Sequence, residues 1–583
     1  MIVTPNAEHT ASIMAIEGGL TLIVVALAFA WPRLGNSWFA RIERVFGRLA
    51  RKQRLAVVSV GLATFLIRLA ILPAFPIPLP FDPSDFSNLL AADTFAHGRL
   101  TNPTPAMWTH LESIHITMQP TYMSMYFPGE ALALAAGKML FGTPWIGLLF
   151  ASALMCAAIC WMLQAWLPPG WALLGGLLAM LRIGLFSYWI NTYTGAGLLG
   201  GLGGALVLGA LPRLKMTVRF RYGLLMAVGI IILVLTRPFE GLLLCLPVAF
   251  VLVRWAFFGA NRPAPAVLLR RAVVPVLVVV AGGAWLGYYD YRAFGKPQTL
   301  PYTVNRSTYA TAPYYIWQPP RPEPHYRRDV MRRFYHDVEL TAYWRIHSWA
   351  LYLPMNLEKI AAALQFFAGF ALLAPLIMLR RVLLDRRIRF LVFSVLFLMA
   401  GMTIMIFQIP HYLAPFTAAF YAIGLQAMRH LRVWTPERKP VGAALVRLIV
   451  TVCVVMAVVR VCAGPFGFVI PEWTGSQWET TWIGPGHFGV ERAQIEVRLK
   501  QLSGNQLVMV RYSPDHNPAD EWVYNSADVD SSKVVWAADM DAAENQELVK
   551  YYSDRQVWLV QPDAKPIIVS RFPGATDNSP ARH

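Results

Sequence analysis

The sequence predicts a mainly α, polytopic membrane helix bundle of about 12 spans, followed by a small C-terminal α/β soluble domain. Hydrophobic residues make up 56% of the 583 residues and charged residues only 14%, whereas soluble domains carry about 25% charged residues. The apolar residues form runs of about 17 to 24 residues, close to the ~20 that a helix needs to cross a bilayer. After the last run, charges become frequent and the apolar segments shorten to strand length.

The formal net charge of +18 does not point to nucleic acid as a partner. A nucleic-acid interface needs basic residues gathered on one solvated face and interleaved with aromatic side chains. Here the basic residues lie in short clusters between apolar runs, a pattern typical of membrane proteins. We therefore expect membrane lipids, and no nucleic acid, around this chain.

Twelve apolar runs are predicted to span the membrane. They lie near residues 12–31, 55–75, 145–166, 171–190, 194–211, 221–237, 239–257, 271–291, 356–380, 388–408, 411–428 and 441–463. The apolar segment 130–142 is too short for a span, since about 20 residues are needed, and we expect it to lie on the outer surface.

Basic connecting segments set the predicted orientation. Five of them hold 24 Lys and Arg residues against three acids, and they are 32–54, 212–221, 254–271, 380–389 and 429–439. The positive-inside rule places these segments in the cytoplasm. The loops 76–144 and 292–355 and both termini are then periplasmic, in a bacterial inner membrane.

Three regions follow from this topology. Residues 1–54 form an extra N-terminal span and a basic cytoplasmic loop, 55–463 the main transmembrane domain, and 464–583 a periplasmic α/β domain. Within the last region, helices are predicted over 491–502 and 541–552, and the predicted strands are 507–510, 534–536 and 557–560. The five cysteines lie within or at the end of spans, which favours a packing role over disulfides.

The first outer loop holds the candidate catalytic residues. Asp82 and Asp85 follow a span directly, at the membrane surface, where partial desolvation makes a carboxylate a better general base. Asp and Ser beside Pro are also ordinary helix-capping residues, so a structural role for the pair is an equal alternative.

The same loop carries His110, Glu112 and His115. Their spacing is not the one-turn, two-His pattern that makes zinc motifs specific, and local hydrogen bonding is the favoured interpretation. The sequence therefore predicts no metal ligands and no definite cofactor, and a required divalent metal has no support from these residues.

Basic residues near the outer face are candidates for binding a phosphate. Arg237 lies at a Pro-marked turn between two spans, where an unpaired cation would be costly, although a salt bridge to Glu240 is the alternative. His411 follows Pro410. The second outer loop adds three candidates, Arg292, Lys296 and Arg306. Its acidic residues could neutralise these charges instead, and they are Asp329, Asp337 and Glu339.

Over roughly residues 55–460 the chain resembles the GT-C superfamily of integral-membrane glycosyltransferases, which includes protein O-mannosyltransferases and aminoarabinose transferases of lipid A. The resemblance rests on the acidic start of the first outer loop, its helical segment 89–100, the Tyr126-Phe127-Pro128-Gly129 sequence and Leu140-Phe141-Gly142 before the next span. It is strongest towards bacterial members that end in a soluble outer domain.

The resemblance implies transfer of a sugar, with inversion, from a polyprenyl-phosphate donor to a glycan, lipid or protein acceptor at the periplasmic face. It implies Asp85, then Asp82, as the base. The family usually has two adjacent acids followed by a tyrosine, whereas this chain has Ser84-Asp85 and then Asn88. The alternatives are a relative that has kept the fold without the chemistry, or a transporter or scaffold for envelope glycolipids.

Overall fold

The computed structural model describes residues 7–259, 262–463 and 489–573, and most of them are helical. Up to residue 258 the helices are Ala7–Ala30, Asn36–Arg51, Gln53–Ala70, Pro83–Ala96, Trp108–Leu111, Pro128–Phe141, Trp145–Trp166, Pro169–Ala179, Met180–Gly184 (a π-helix), Tyr188–Asn191, Gly197–Thr217, Phe220–Thr236 and Pro238–Phe258.

The helices of the second half are Pro265–Phe294, Pro301–Tyr309, Asp329–Arg332, Arg333–Val338 (π), Glu339–His347, Trp349–Phe367, Gly369–Leu373, Ala374–Met378 (3-10), Leu379–Leu384, Arg389–Met402, Pro410–Phe416 (3-10), Thr417–Arg432, Pro436–Arg438 (3-10), Val441–Ala463, Val490–Gln501 and Ala542–Tyr551.

Long apolar helices form the bundle, as the sequence predicts for a polytopic membrane protein. Among the described residues, six helices are long and apolar enough to cross a membrane, or seven if one bent pair is counted as a span. Four shorter apolar helices accompany them in the described part of the chain, and they are Ala15–Ala30, Pro169–Gly184, Phe220–Thr236 and Arg389–Met402. The total of twelve spans stays a prediction.

One predicted span, 356–380, is not a single straight helix. The helix Trp349–Phe367 and the helical segment Gly369–Leu384 meet at an angle of 102°. Gly369 makes the bend with φ +59°, and the Arg182 guanidinium fills the space where a Cβ would lie. Arg182 donates to the carbonyl of Phe366 at 3.1 Å, satisfying one of the carbonyls that the helix end leaves open. Hydropathy alone does not register such a break.

The connecting segments form two groups, and the segments of each group contact one another. At one end, Glu43 pairs with Arg432 and Arg447, which joins two of the five basic segments to the last span. At the other end, Arg328 of the second outer loop bonds to the Glu112 carbonyl of the first outer loop and pairs with Glu521 of the C-terminal domain at 2.8 Å. The segments predicted to be periplasmic therefore assemble together.

The C-terminal domain is a four-stranded sheet with a helix on each face. Its strands lie in the order Val534–Ala538, Asn505–Val510, Arg555–Gln561 and Ile568–Arg571, the first three parallel and the last antiparallel. One face packs on the helix Val490–Gln501, and the other on Ala542–Tyr551 and on the first outer loop. The predicted helices and strands of 491–560 correspond to these elements, whereas 464–488 and 574–583 lie outside the described residues.

The first outer loop is ordered by three helices and a short pair of strands. The strands Ile116–Thr117 and Met123–Ser124 are antiparallel. The helix Pro128–Phe141 corresponds to the predicted segment 130–142, and its Gly129 fits against the end of the helix Phe220–Thr236, where a Cβ would lie 2.4 Å from the Thr236 methyl. This close approach brings the first outer loop onto the turn that carries Arg237.

Candidate active site

Asp82 and Asp85 sit at the start of the helix Pro83–Ala96, which we call the first-loop helix. Asp82 is the N-cap, and its Oδ1 accepts from the backbone N–H of Ser84 at 2.8 Å. Asp85, three residues on, accepts through Oδ2 from the N–H groups of Phe81 at 3.3 Å and Asp82 at 3.5 Å. This reciprocal arrangement is a capping box, so the predicted capping role is observed for both residues.

Asp85 also ties the first-loop helix to the membrane bundle. Its Oδ1 accepts from the backbone N–H of Tyr193 at 2.8 Å and from the Thr194 hydroxyl at 2.9 Å, and the side chain is wholly buried. Both of its oxygens are thus occupied by donors. Asp82 differs, since its carboxylate accepts from one residue, Ser84, through the backbone N–H and the side chain.

Burial changes the acidity of this pair. Desolvation, and then the charge of Asp82, raise the pKa of Asp85 to about 7, against the lowering effect of its hydrogen bonds. Desolvation also raises the pKa of Asp82, which its bonds from Ser84 only partly offset. Burial thus makes both residues weaker acids than an ordinary aspartic acid, and Asp85 is weakened further by the charge of its neighbour.

A hydrogen-bonded group links Asp82 to a cavity. The Tyr126 hydroxyl lies 2.7 Å from Ser84 Oγ and 3.0 Å from His115 Nδ1. Desolvation, followed by the charge of Arg306, lowers the pKa of His115 to about 3, so this imidazole is neutral. Tyr126 also forms part of the cavity wall. Asp82 is therefore two hydrogen-bond steps from the cavity, through Ser84 and Tyr126.

The cavity lies between the first outer loop and the outer ends of the bundle helices, and its volume is about 10 Å³. Side chains from five separate parts of the sequence line it: Asn88, Tyr126, Phe127, Glu130, Gly195, Ala196, Thr236, Arg237 and Tyr302. It has a cation and a carboxylate in its wall, and its volume is close to what a single water molecule needs.

Arg237 is the cation of this cavity. Its side chain is 7% exposed, its Nε donates to the Gly195 carbonyl at 3.0 Å, and its Cζ lies 4.6 Å from the centre of the Tyr412 ring. Nη1 lies 3.8 Å from Glu240 Oε1. The alternative role of Arg237, a salt bridge to Glu240, is therefore present, although 3.8 Å is long for an ion pair. The same side chain also lines the cavity.

Gly195 holds this part of the site together. Its φ of +90° suits glycine, and a Cβ would lie 2.5 Å from the His411 ring. His411 is buried, and its Nδ1 lies 2.9 Å from the Tyr188 hydroxyl. Gly195 thus lies between Arg237 and His411. These two residues, which the sequence indicates as candidates for binding one phosphate, are brought close together by this turn rather than by a direct contact.

Arg306 lies behind the cavity wall. Its Nη1 pairs with Glu339 at 2.6 Å and its guanidinium stands 4.7 Å from the Tyr314 ring, which in turn packs 5.8 Å from the ring of the cavity residue Tyr302. The predicted neutralisation of the second outer loop by its own acids is thus observed here. Asp329 and Asp337 do the same for Arg332.

Arg292 and Lys296 are exposed and lie away from the cavity. Arg292 donates to the Tyr288 hydroxyl at 3.1 Å, within its own helix. Neither residue is among those that line the cavity in the described structure. Five basic residues are predicted to bind a phosphate. The structure places Arg237 in the cavity wall, His411 and Arg306 close behind it, and Arg292 and Lys296 outside.

The His110, Glu112 and His115 set does not converge on one point. The ring of His110 contacts the carbonyl oxygens of Ala538 and Glu544 in the C-terminal domain, at 3.2 and 3.1 Å, whereas His115 faces Tyr126. In residues 7–259, 262–463 and 489–573 no group of three His, Cys, Asp or Glu side chains is arranged to hold a metal ion.

Glu130 is the site residue that sequence reasoning missed. It is 4% exposed, lines the cavity with Arg237 and accepts a short hydrogen bond from the Ala196 N–H. A signal existed, because an acid near the start of an apolar outer helix, two residues after Pro128, stands out in such a segment. Nothing in the sequence, however, places residue 130 beside residues 196 and 237.

The C-terminal domain packs directly on the first-loop helix. The rings of Phe86 and Tyr524 stack at 4.2 Å with 6° between their planes, and the Ala527 N–H donates to Asp93 at 2.8 Å. Arg99, just beyond the helix, pairs with Asp528 at 2.7 Å. The helix that carries Asp82 is thus held between the membrane bundle and the C-terminal domain.

No family model and no curated protein sequence matches the chain. Among solved structures, it is similar to apo ArnT from Cupriavidus metallidurans (12% identity, TM-score 0.47, covering 88% of this chain and 93% of that one). It is also similar to the oligosaccharyltransferase of Archaeoglobus fulgidus (11%, 0.46, 86% and 68%) and to ArnT bound to undecaprenyl phosphate (13%, 0.42, 87% and 92%).

Proposed function

We propose that the chain is an inverting glycosyltransferase that moves a sugar from a polyprenyl-phosphate donor to an envelope acceptor at the periplasmic face of the inner membrane. One observation carries the proposal. A buried arginine and a buried carboxylate face one small cavity, and a carboxylate pair with raised pKa values lies two hydrogen bonds behind it. Perturbed titratable groups gathered around a cavity are typical of catalytic sites.

The division of labour follows from the contacts. Arg237 binds the phosphate of the donor through Nη1, since its Nε and Nη2 donate to the Gly195 carbonyl, and it supplies positive charge where the leaving group gains negative charge. A carboxylate accepts the proton of the acceptor hydroxyl while the oxygen of that hydroxyl forms a bond to the anomeric carbon of the sugar. The bond between that carbon and the phosphate oxygen breaks with its electron pair on the phosphate, so the products are the glycoside and polyprenyl phosphate.

Between the two candidate bases, the contacts favour Asp82. Asp85, first in the order that the sequence resemblance implies, has both oxygens occupied by donors that hold the loop. The donors to Asp82 all come from Ser84, and they do not tie it to the membrane bundle. We therefore assign proton acceptance to Asp82 and positioning to Asp85, with Glu130 as the carboxylate that faces the donor phosphate site beside Arg237.

The test of the base is Asp82→Asn, assayed by the glycolipid profile of a complemented deletion strain and by sugar transfer in membranes. Asn still caps a helix, so we expect a folded protein that loses about 10²- to 10⁴-fold of its transfer rate. The matched control is Asp541→Asn, because Asp541 is also an N-cap, accepting from the Glu544 N–H at 2.8 Å, but lies in the C-terminal domain. A D82N variant with the profile of wild type removes Asp82 from the chemistry.

Binding of the carrier tests the Arg237 role. Undecaprenyl phosphate, the ligand named for one ArnT structure, is the first probe. We expect Arg237→Gln to weaken its binding at least tenfold, while Glu240→Gln, which removes the other half of the 3.8 Å ion pair, leaves it within threefold. Equal loss of thermal stability in both variants, with carrier affinity unchanged, would make Arg237 a structural residue only.

A further inference from the structure

The amphipathic helix Asn36–Arg51, which we call the basic helix, lies between the first two apolar helices of the chain. The first of these ends at Ala30 and the second begins at Gln53. Because both are apolar over most of their length, the 16-residue basic helix lies where the chain turns back at one surface of the membrane. It is on the side of the basic segments, opposite the cavity.

The basic helix has an exposed apolar face that is not covered by protein. Trp38, Ile42 and Val45 lie on one side at helical spacing, with 61%, 45% and 63% of their surfaces exposed. A second face, with Phe39, Phe46 and Ala50, is turned towards the bundle. Large apolar side chains left open on a helix at the membrane surface are suited to insertion between acyl chains.

The opposite side of the helix is strongly cationic. Arg41, Arg44, Arg48 and Arg51 are all exposed, and none has an ion-pair partner within the described residues. The small residues between them leave this face concave. The arginines line a shallow groove together with Ser37, Ala40, Gly47 and Glu43. Four guanidinium groups along a groove attract phosphate groups, which they bind through paired N–H donors.

The single acid of the helix does not neutralise these arginines. Glu43 accepts from Arg432 at 2.9 Å and from Arg447 at 2.9 Å. Burial alone would raise the pKa of Glu43, but the hydrogen bonds and charges of these two arginines outweigh it and lower the pKa to about 2. Glu43 therefore fixes the helix to the bundle and leaves the charge of its outer face uncompensated.

We propose that the concave face of the basic helix is a binding site for the anionic headgroups of phospholipids in the leaflet on the side of the basic segments. The exposed apolar face enters the acyl region while the arginines meet the phosphates at the surface, the geometry expected of an interfacial helix. The site is on the opposite side of the membrane from the cavity and does not depend on the glycosyltransferase proposal.

The experiment uses the full chain in a neutral detergent, with the thermal midpoint and native mass spectrometry as readouts. Dioleoyl phosphatidylglycerol should raise the Tm of the wild type by at least about 3 °C and give lipid-bound peaks. Dioleoyl phosphatidylcholine should not. The variant R41Q/R44Q/R48Q should lose the phosphatidylglycerol effect, because its altered side chains are exposed and their replacement leaves the packing intact. R41K/R44K/R48K, which keeps the charge, should retain most of it.

The matched control removes the same charge elsewhere. R498Q/K550Q/K565Q changes three exposed residues of the C-terminal domain and should respond to phosphatidylglycerol as the wild type does. A triple glutamine variant of the basic helix that keeps the full lipid-induced shift overturns the proposal. So does an equal shift from phosphatidylcholine, or from inorganic phosphate at the same concentration, since either would show that no anionic lipid is recognised. Lipid-bound peaks are counted on the folded fraction, so a less stable variant still gives an answer.

Discussion

At the scale of single residues, Asp82 and Asp85 show how two neighbouring carboxylates acquire different roles. Both belong to one capping box, yet only Asp85 reaches across to the segment that follows the helix Tyr188–Asn191. Its four donors are matched by four acceptor positions of an ionised carboxylate, an arrangement that an amide cannot reproduce. Their separation in function is therefore a matter of hydrogen-bond partners rather than of residue type.

Asp85→Asn should destabilise the protein by about 1 to 3 kcal/mol, because the amide nitrogen would face backbone donors in a buried place. Thermal unfolding in detergent measures this. Asp82→Asn, assayed in parallel, should unfold within about 0.5 kcal/mol of the wild type, since an amide oxygen still caps the helix. Equal stability of the two variants would contradict the positioning role assigned to Asp85.

The acidity of the pair predicts a pH dependence of transfer. Because desolvation raises the pKa of Asp82, the proposed base takes up its proton at a higher pH than an ordinary Asp does. A base must be deprotonated, so the transfer rate should fall on acidification at a pH above the region near 3.9 where an ordinary Asp titrates. The measurement is the rate of sugar transfer in membranes as a function of pH. A rate that falls only near pH 3.9 or below would exclude Asp82 as the base.

At the scale of elements, the turn before the helix Gly197–Thr217 organises the cavity. Gly195 supplies its carbonyl to Arg237, and its left-handed backbone leaves no room for a side chain beside His411. Single turns of this kind fix the relative position of side chains that come from distant parts of the chain.

Gly195→Ala should cost more stability than Gly98→Ala. Both glycines have positive φ, at +90° and +71°, so both substitutions carry the ~1 kcal/mol cost of that backbone. A Cβ at position 98 meets nothing within 4 Å, whereas at 195 it would lie 2.5 Å from the His411 ring. We expect about 1 kcal/mol for G98A and at least ~2 kcal/mol more for G195A, together with weaker carrier binding. Equal Tm losses for the two variants would show that the turn has room to move.

The features that the sequence predicted arise from local composition, whereas those that it missed arise from contacts between distant parts of the chain. Apolar runs and the short strands of the C-terminal domain follow from local composition, and these were predicted. The 102° bend at Gly369 depends on the Arg182 guanidinium from another helix, and the place of Glu130 depends on contact with Ala196. The sequence likewise favours Asp85 over Asp82 as the base, because it does not show that residues 193 and 194 donate hydrogen bonds to Asp85. Long-range contacts are what the single sequence does not carry.

At the scale of the whole molecule, the basic segments predict its orientation. Position 531 of the C-terminal domain and position 37 of the basic helix are both exposed serines, and the topology places them on opposite sides of the membrane. In intact cells, on a background in which the native cysteines are replaced by alanine, an impermeant thiol reagent should label a cysteine introduced at Ser531 and spare one at Ser37. Both should be labelled after the cells are permeabilised. Labelling at 37 alone would invert the topology and with it the proposed periplasmic site.

The stacking of Phe86 on Tyr524 and the Arg99–Asp528 pair join segments that are made at very different times. A ribosome adds about 5 to 20 residues per second, and 429 residues separate Arg99 from Asp528. The first-loop helix therefore exists for roughly 20 to 90 s before the domain that covers it has been synthesised. During this interval Asp82 caps the first-loop helix, but the helix lacks its outer support, so the carboxylate pair reaches its final environment only when translation has passed the C-terminal sheet. Docking of that domain thus acts as a completion step in the biogenesis of the site.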